Sequence, residues 1–146
     1  PADRVPPLCP YCRRRSELMD SAAVYREGRS YGPMWVCARC EAWVGCHKNS
    51  SDYAPLGRLA NGPLRKLKMR VHDLLDPWWR DQTVGTTSFR RKAMYALLAE
   101  EMRIPKRECH VADFDDAKCE HAIFILESTR WRLLAAGAIT HATNET

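Results

Sequence analysis

Long apolar runs are missing from this sequence, and so is the apolar segment typical of a secretory signal. No stretch of 18 or more apolar residues occurs, so we expect no membrane-spanning helix. The chain opens with Pro-Ala-Asp-Arg-Val-Pro-Pro, and its seven cysteines are an odd number. These features predict a soluble protein of a reducing intracellular compartment.

Several motifs that mark catalytic sites are also missing. The sequence contains no glycine-rich phosphate loop, no nucleophile elbow and no H-E-x-x-H zinc motif. These absences lean against an enzyme, although they leave the question open.

The sequence does contain two C-x-x-C pairs. They read C-P-Y-C at residues 9–12 and C-A-R-C at residues 37–40, with 24 residues between them. Each pair can form a tight turn, called a knuckle, that offers two thiolates to one metal ion. Four thiolates in a tetrahedral array are typical of a structural zinc ribbon. We therefore predict a Zn²⁺ site formed by Cys9, Cys12, Cys37 and Cys40. Free thiols, disulfides or a redox motif are the alternatives.

The chain of 146 residues is long enough for a small metal-stabilised module and a second core. Apolar and polar residues alternate at positions 22–26, a turn follows at 27–30, and further strands are expected at 31–36 and 43–47. The polar, turn-rich residues 49–55 mark a boundary. We predict an α+β protein with a Cys₄ zinc ribbon of short antiparallel strands at residues 1–48.

The rest of the chain has helical periodicity. Pro63 fits a first helical turn, and Asp76-Pro77 should end that helix. Thr87 or Ser88 should cap a second long helix that reaches about Met102. The next should start at Asp115 or Asp116 and continue past a break near Ser128. These patterns predict a three- to four-helix part at residues 56–139.

The net charge of +5 is unevenly distributed along the chain. Residues 58–70 contain five basic residues and no acidic one, whereas residues 108–127 contain six acids and one lysine. A basic region of this kind is compatible with nucleic-acid binding, and also with ordinary solvated helix faces. The candidate phosphate-binding residues are Arg13, Arg14, Arg15, Arg58, Arg65, Lys66, Lys68, Arg70, Arg90, Arg91 and Lys92. The first three could instead balance the charge of a zinc-thiolate centre.

Other polar groups could support chemistry. His72 and Asp76 are spaced i and i+4 on a predicted helix, where a plain hydrogen bond is the simpler interpretation. A second metal site could draw on Cys109, His110, Cys119 and His121, or on Cys46 and His47. We expect Cys119 instead to be a buried cysteine, and adjacent Cys109 and His110 to be poorly arranged for one tetrahedral ion.

The sequence resembles a family of phage and prophage proteins with an N-terminal zinc finger. The matching pieces are C-P-Y-C, the block S-Y-G-P-M-W-V-C-A-R-C-E-A-W-V-G-C-H-K at residues 30–48, L-G-R-L-A-N at 56–61, the helix at 64–79, and E-C-H at 108–110 with Cys119. Arg103 stands where the family's helix-ending turn should have a glycine. The resemblance implies a zinc site and a phage origin, and it implies no particular activity.

Three functional hypotheses follow from the sequence. The first is a phage-encoded protein of the bacterial host cytoplasm that binds nucleic acid or acts on the transcription machinery, with Trp78 or Trp79 stacking on a base. The second is a protein-docking inhibitor or adaptor of a host enzyme, active in anti-defence or host takeover, whose acidic segment imitates nucleic acid. The third, which the closed Cys₄ set disfavours, is a metal-dependent nuclease using His72 and Asp76.

Overall fold

A three-stranded antiparallel sheet precedes five α-helices in the described part of this chain. The structure is a computed structural model, and it describes residues 4–25, 30–82 and 85–144. The chain divides into an N-terminal unit, Pro1–Arg65, and a C-terminal unit, Lys66–Thr146. The predicted α+β class, with a four-cysteine cluster near the sheet, is confirmed. The finer domain limits 1–48 and 56–139 stay a prediction.

The strands are β1 (Glu17–Asp20), β2 (Pro33–Cys37) and β3 (Ala42–Gly45), in the order β1-β2-β3. Trp35 in β2 pairs with Leu18 in β1 and with Val44 in β3. Because side chains alternate along a strand, this row lies on one face of the sheet. Glu17, Val36 and Trp43 form the neighbouring row on the opposite face.

The core of the N-terminal unit lies on the Trp35 face. Its buried members are Cys9, Trp35, Cys37, Ala42, Val44 and Leu59. The Nε1–H of Trp35 donates to the carbonyl of Tyr53 at 2.8 Å, so the indole is buried without losing its hydrogen bond. So small a core benefits from a metal cross-link, because little apolar surface is buried.

The first strand begins earlier than the sequence predicted. The prediction of a strand at residues 22–26 is wrong, since Ser21–Ala23 form a 3₁₀ turn. Asp20 ends β1, and its Oδ1 accepts a hydrogen bond from the N–H of Ala22 at 2.8 Å. That local bond offers the backbone an alternative to the sheet. Residues 26–29, which include most of the turn predicted at 27–30, lie outside the described residues.

The helices are α1 (Gly62–Leu75), α2 (Pro77–Arg80), α3 (Thr87–Met102), α4 (Asp116–Leu126) and α5 (Thr129–Asn144). The unit boundary falls inside α1. Thr86 caps α3 one residue before the predicted positions, whereas Asp115 caps α4 as predicted. Ser128 Oγ accepts from the N–H of Trp131, which starts α5 at the expected break.

In the C-terminal unit, α3 packs against α2, α4 and α5. Met94, Leu98 and Met102 are buried at four-residue spacing along α3, and Trp131 and Ala135 are buried on α5. This spacing places the side chains on one face of each helix. Each described helix is too short or too polar to cross a bilayer.

Candidate metal centre and basic surfaces

The first C-x-x-C pair forms the tip of a small hairpin. The N–H of Cys9 donates to the carbonyl of Arg14 at 2.8 Å, and the N–H of Arg13 donates to the carbonyl of Cys9 at 2.8 Å. Arg13 takes a left-handed conformation with φ 64°, which turns the chain back after the second cysteine. Leu8 and Arg15 pair below the turn.

The second C-x-x-C pair connects β2 to β3. Cys37 pairs with Ala42 across the hairpin, and Glu41 has φ 52° directly after Cys40. The N–H of Glu41 donates to the carbonyl of Ala38 at 3.4 Å. Both cysteine pairs therefore lie in turns that end with a left-handed residue directly after the second cysteine.

The two knuckles bring the four predicted sulfur atoms together. The Sγ atoms of Cys9, Cys12, Cys37 and Cys40 all lie within 4.8 Å of one another, and Cys12 Sγ is 3.7 Å from Cys37 Sγ. A tetrahedral zinc site with Zn–S bonds of about 2.3 Å places its sulfurs about 3.8 Å apart. All four cysteines are free thiols. The donor atoms and their spacing therefore fit a structural Zn²⁺ ion.

A backbone hydrogen bond and burial shift the pKa values of three of these thiols in opposite directions. The backbone N–H of Arg14 lowers the pKa of Cys12 to about 7, with smaller contributions from the neighbouring thiols. Burial raises the pKa of Cys40 to about 12 and also raises that of Cys37. A cation at the centre favours the ionised form of every ligand.

Exposed arginines surround this centre. Arg13, Arg14 and Arg15 are all exposed, as the sequence suggested. Arg39, which the sequence analysis did not include, is also exposed and lines a 190 Å³ depression with Arg14 and Arg15. The sequence signal for Arg39 was its position inside C-A-R-C, between two predicted ligands.

A larger groove follows the face of the sheet opposite the core. Its volume is 790 Å³, and Tyr25, Tyr31, Trp43 and Tyr53 contribute aromatic rings to its lining. His47, Lys48 and Arg65 add basic or neutral nitrogen groups, and none of the described lining residues is acidic. This groove joins residues from β2, β3 and α1, so local sequence patterns do not reveal it.

Arg65 and Arg58 differ from the exposed arginines. The guanidinium of Arg65 stacks on the Trp43 ring at 4.1 Å and donates to the carbonyls of Trp43 and Ala60. Burial lowers the pKa of Arg65. Arg58 is half-buried, and its Nε has no partner among the described residues. Arg65 therefore holds the first turn of α1 against β3.

The basic candidates of the C-terminal unit fall into two groups. Lys66, Arg91 and Lys92 are exposed, as is Arg70, which lies 3.6 Å from Glu127. Lys68 Nζ donates to the carbonyl of Ala112 at 2.7 Å.

Arg90 is only 5% exposed, so its side chain is not accessible to a phosphate. Its guanidinium donates to the carbonyls of Trp79 and Gly85, each at 2.8 Å. The buried position of Arg90 therefore does not fit the expected contact with nucleic acid. The side chain instead holds the two ends of the α2–α3 connection together.

The other candidate chemistry is not assembled into a metal site among the described residues. The only potential metal-binding group found there is the four-cysteine cluster, so Cys46, His47, Cys109, His110, Cys119 and His121 form no second one. Burial raises the pKa of Cys109 and of Cys119 to about 11. His72 Nδ1 lies 3.2 Å from Asp76 Oδ2, which is the hydrogen bond expected from their spacing.

Comparison with known proteins agrees with the cysteine geometry. A family model described as a zinc-finger-containing domain matches residues 5–129, which is most of the chain. No curated protein and no solved structure matches the chain significantly.

Proposed function

This chain belongs to a family of zinc-finger-containing domains, and we propose that it binds one Zn²⁺ and, from the lining of a groove in its N-terminal unit, that this unit binds single-stranded nucleic acid. Cys9, Cys12, Cys37 and Cys40 would hold the ion. A closed four-thiolate zinc site supplies a structural cross-link and has no open coordination position. The role of this site is therefore to fix the two knuckles and the sheet.

One observation supports nucleic acid as the partner. The 790 Å³ groove on the sheet combines four aromatic rings with the exposed Lys48, and none of its described lining residues is acidic. Single strands are bound by aromatic rings that stack on bases and by cations along the backbone. Tyr31 is 64% exposed, so one of these rings is open to a ligand.

The exposed arginines extend the same face. The groove residue Trp43 pairs with Val36, and Val36 lines the depression that contains Arg14, Arg15 and Arg39. A strand stacked in the groove would thus meet phosphate-binding groups toward the knuckles. Ionic contacts of this kind release counterions and make the affinity salt-dependent.

Fluorescence anisotropy with short labelled DNA and RNA oligonucleotides tests this proposal on the zinc-loaded full chain. We expect single strands to bind more tightly than the matched duplex. Affinity should fall between about 50 and about 200 mM salt, with a slope near −0.7 per phosphate contact. Absence of binding to either nucleic acid at the lower salt concentration would contradict the proposal.

Matched variants locate the interface. Tyr31→Ala should weaken binding by about 1 kcal/mol or more, which is about fivefold, because one stacking partner is lost. Phe124→Ala is its control, since Phe124 is 77% exposed on α4 and lies outside the groove. Combined Arg14→Ala, Arg15→Ala and Arg39→Ala should flatten the salt dependence, whereas Arg132→Ala on α5 should not. If the control variants lost as much affinity or salt dependence as the groove and arginine variants, the nucleic-acid interface would not be at these residues.

A phage origin, and action in a bacterial host cytoplasm, belong to this proposal through the sequence resemblance alone. The adaptor hypothesis remains a prediction of the acidic segment at residues 108–127. A host protein that stays bound to the chain after nuclease treatment, combined with no oligonucleotide binding, would replace the nucleic-acid proposal with that hypothesis.

A further inference from the structure

A second cleft lies entirely within the C-terminal unit. Its volume is 320 Å³, and it is lined by α3 and by the segment from Lys106 to His110. Arg91 and Lys92 of α3, together with Lys106, contribute three cationic side chains, and His110 adds an imidazole. No aspartate or glutamate is among its described lining residues. The cleft therefore concentrates positive charge at a concave site.

An aromatic ring gives this cleft a planar surface. Tyr95 lines it, and the Arg91 guanidinium lies 5.0 Å from the Tyr95 ring centroid and 5.7 Å from that of Trp79. Such stacking restricts the guanidinium before any ligand arrives. Burial raises the pKa of Tyr95.

The carboxylate of Asp76 acts electrostatically on Tyr95, and its oxygens already have hydrogen-bond partners. Asp76 contributes to the raised pKa of Tyr95. Trp79 Nε1 donates to its Oδ1 at 3.2 Å, and His72 Nδ1 lies 3.2 Å from its Oδ2. These contacts partly satisfy the carboxylate. The described lining of the cleft contains no acidic partner for Lys92 or Lys106.

Cys109 also lines the cleft, but its chemistry points to binding and not to catalysis. The side chain is 2% exposed, and burial raises the pKa of its thiol to about 11. A neutral thiol is a poor nucleophile. Cys109 and Ala96 instead add apolar surface beside Tyr95.

We propose that this cleft binds a nucleoside monophosphate, with the phosphate contacted by Lys92 and Lys106 and the base packed against Tyr95. Its volume is at the lower end of the range for small-molecule sites, which begins at about 300 Å³. The apolar and aromatic lining offers the base a packing surface. Inorganic phosphate has no ring that could use this surface. This inference does not depend on the nucleic-acid proposal, because the two sites lie in different units.

The direct test is a titration of the zinc-loaded full chain with adenosine 5′-monophosphate, followed by calorimetry and by amide NMR shifts. Adenosine and inorganic phosphate are titrated separately as the two halves of the ligand. We expect the monophosphate to bind about tenfold more tightly than either half, with shifts at Tyr95, Ala96 and His110. No saturable binding, or equal affinity for inorganic phosphate, would overturn the proposal.

Charge-matched variants distinguish binding in this cleft from a general attraction of the anionic ligand to a positively charged protein. Lys106→Ala and Lys92→Ala should each weaken monophosphate binding about tenfold. Arg107→Ala removes the same charge from the same 3₁₀ turn, but Arg107 does not line the cleft. The affinity of this variant for the monophosphate should therefore stay within about twofold of the parent value. An equal loss of monophosphate affinity in Arg107→Ala would show that net charge alone explains the binding, and it would contradict the proposed site.

The two proposals can fail independently. The combined Arg14, Arg15 and Arg39 variant should retain its affinity for the monophosphate while losing salt-dependent oligonucleotide binding. Loss of monophosphate binding in that variant would contradict a site confined to the C-terminal unit.

Discussion

Arg13 and Glu41 occupy equivalent positions in the two knuckles, and both have left-handed backbone conformations, with φ 64° and 52°. Each directly follows the second cysteine of its pair. The equivalence includes the pairing below the turns, because Cys9 bonds to Arg14 as Cys37 pairs with Ala42. The two halves of the metal centre thus share a left-handed residue and a pairing pattern.

Valine at position 13 should destabilise the zinc-loaded protein. Arg13→Val places a β-branched side chain at positive φ, so we expect a loss of about 1–2 kcal/mol in unfolding free energy. Arg13→Gly should stay close to the parent, because glycine adopts this conformation freely. Urea denaturation measures both. Arg15→Val is the control, since Arg15 pairs with Leu8 in extended structure; equal losses at 13 and 15 would refute the turn assignment.

One zinc ion per chain is the expected metal content. Cys37→Ser should lose it, because three thiolates cannot close the site. Cys46→Ser should retain it, since Cys46 belongs to the same unit but not to the cluster. Elemental analysis of the purified proteins gives the stoichiometry. A Cys109→Ser, His110→Ala double variant should also keep one zinc; a second ion in the parent that this variant loses would show a metal site we did not find.

Arg90 should be a stability residue of the C-terminal unit. Arg90→Ala removes two charge-assisted hydrogen bonds to backbone carbonyls, and we expect a loss of about 2 kcal/mol or more. Lys92→Ala, two residues later and exposed, should change stability by no more than about 0.5 kcal/mol. Thermal or chemical unfolding distinguishes the two. Similar values for both variants would mean that the Arg90 contacts contribute little.

Glycine at position 103 should stabilise α3. Arg103 ends this helix at φ 58°, and the N–H of Ile104 reaches back to the carbonyl of Ala99 at 3.0 Å. This left-handed C-terminal turn is one that glycine prefers, so Arg103→Gly should raise the unfolding free energy by up to about 1 kcal/mol. Lys92→Gly in the helix interior should lower it by about 1 kcal/mol. Two changes of the same sign would contradict this helix end.

The sequence predicted those parts of the fold that depend on local spacing. The doubled C-x-x-C pattern predicted which four sulfurs come together, and Asp115 and Ser128 marked where α4 starts and α5 follows. Each of these signals is a pattern of residues a few positions apart, which a sequence displays directly.

The features that the sequence did not predict depend on tertiary burial or on competing local bonds. Arg90 lies four residues before Met94 on the buried stripe of α3, yet its charge suggested an exposed position. At β1, the hydrogen bond from Ala22 to Asp20 diverts the chain into a 3₁₀ turn, which period-two alternation does not reveal.

The segment after the sheet shields its outer edge. Ala60 exchanges two hydrogen bonds with Trp43, each at 3.1 Å, and Leu56 donates to the carbonyl of Gly45 at 2.9 Å. A fragment that stopped at residue 48 would leave the outer backbone groups of β3 unpaired and open to another molecule. Such an edge favours self-association. A soluble, isolated zinc ribbon should therefore need the chain through residue 65.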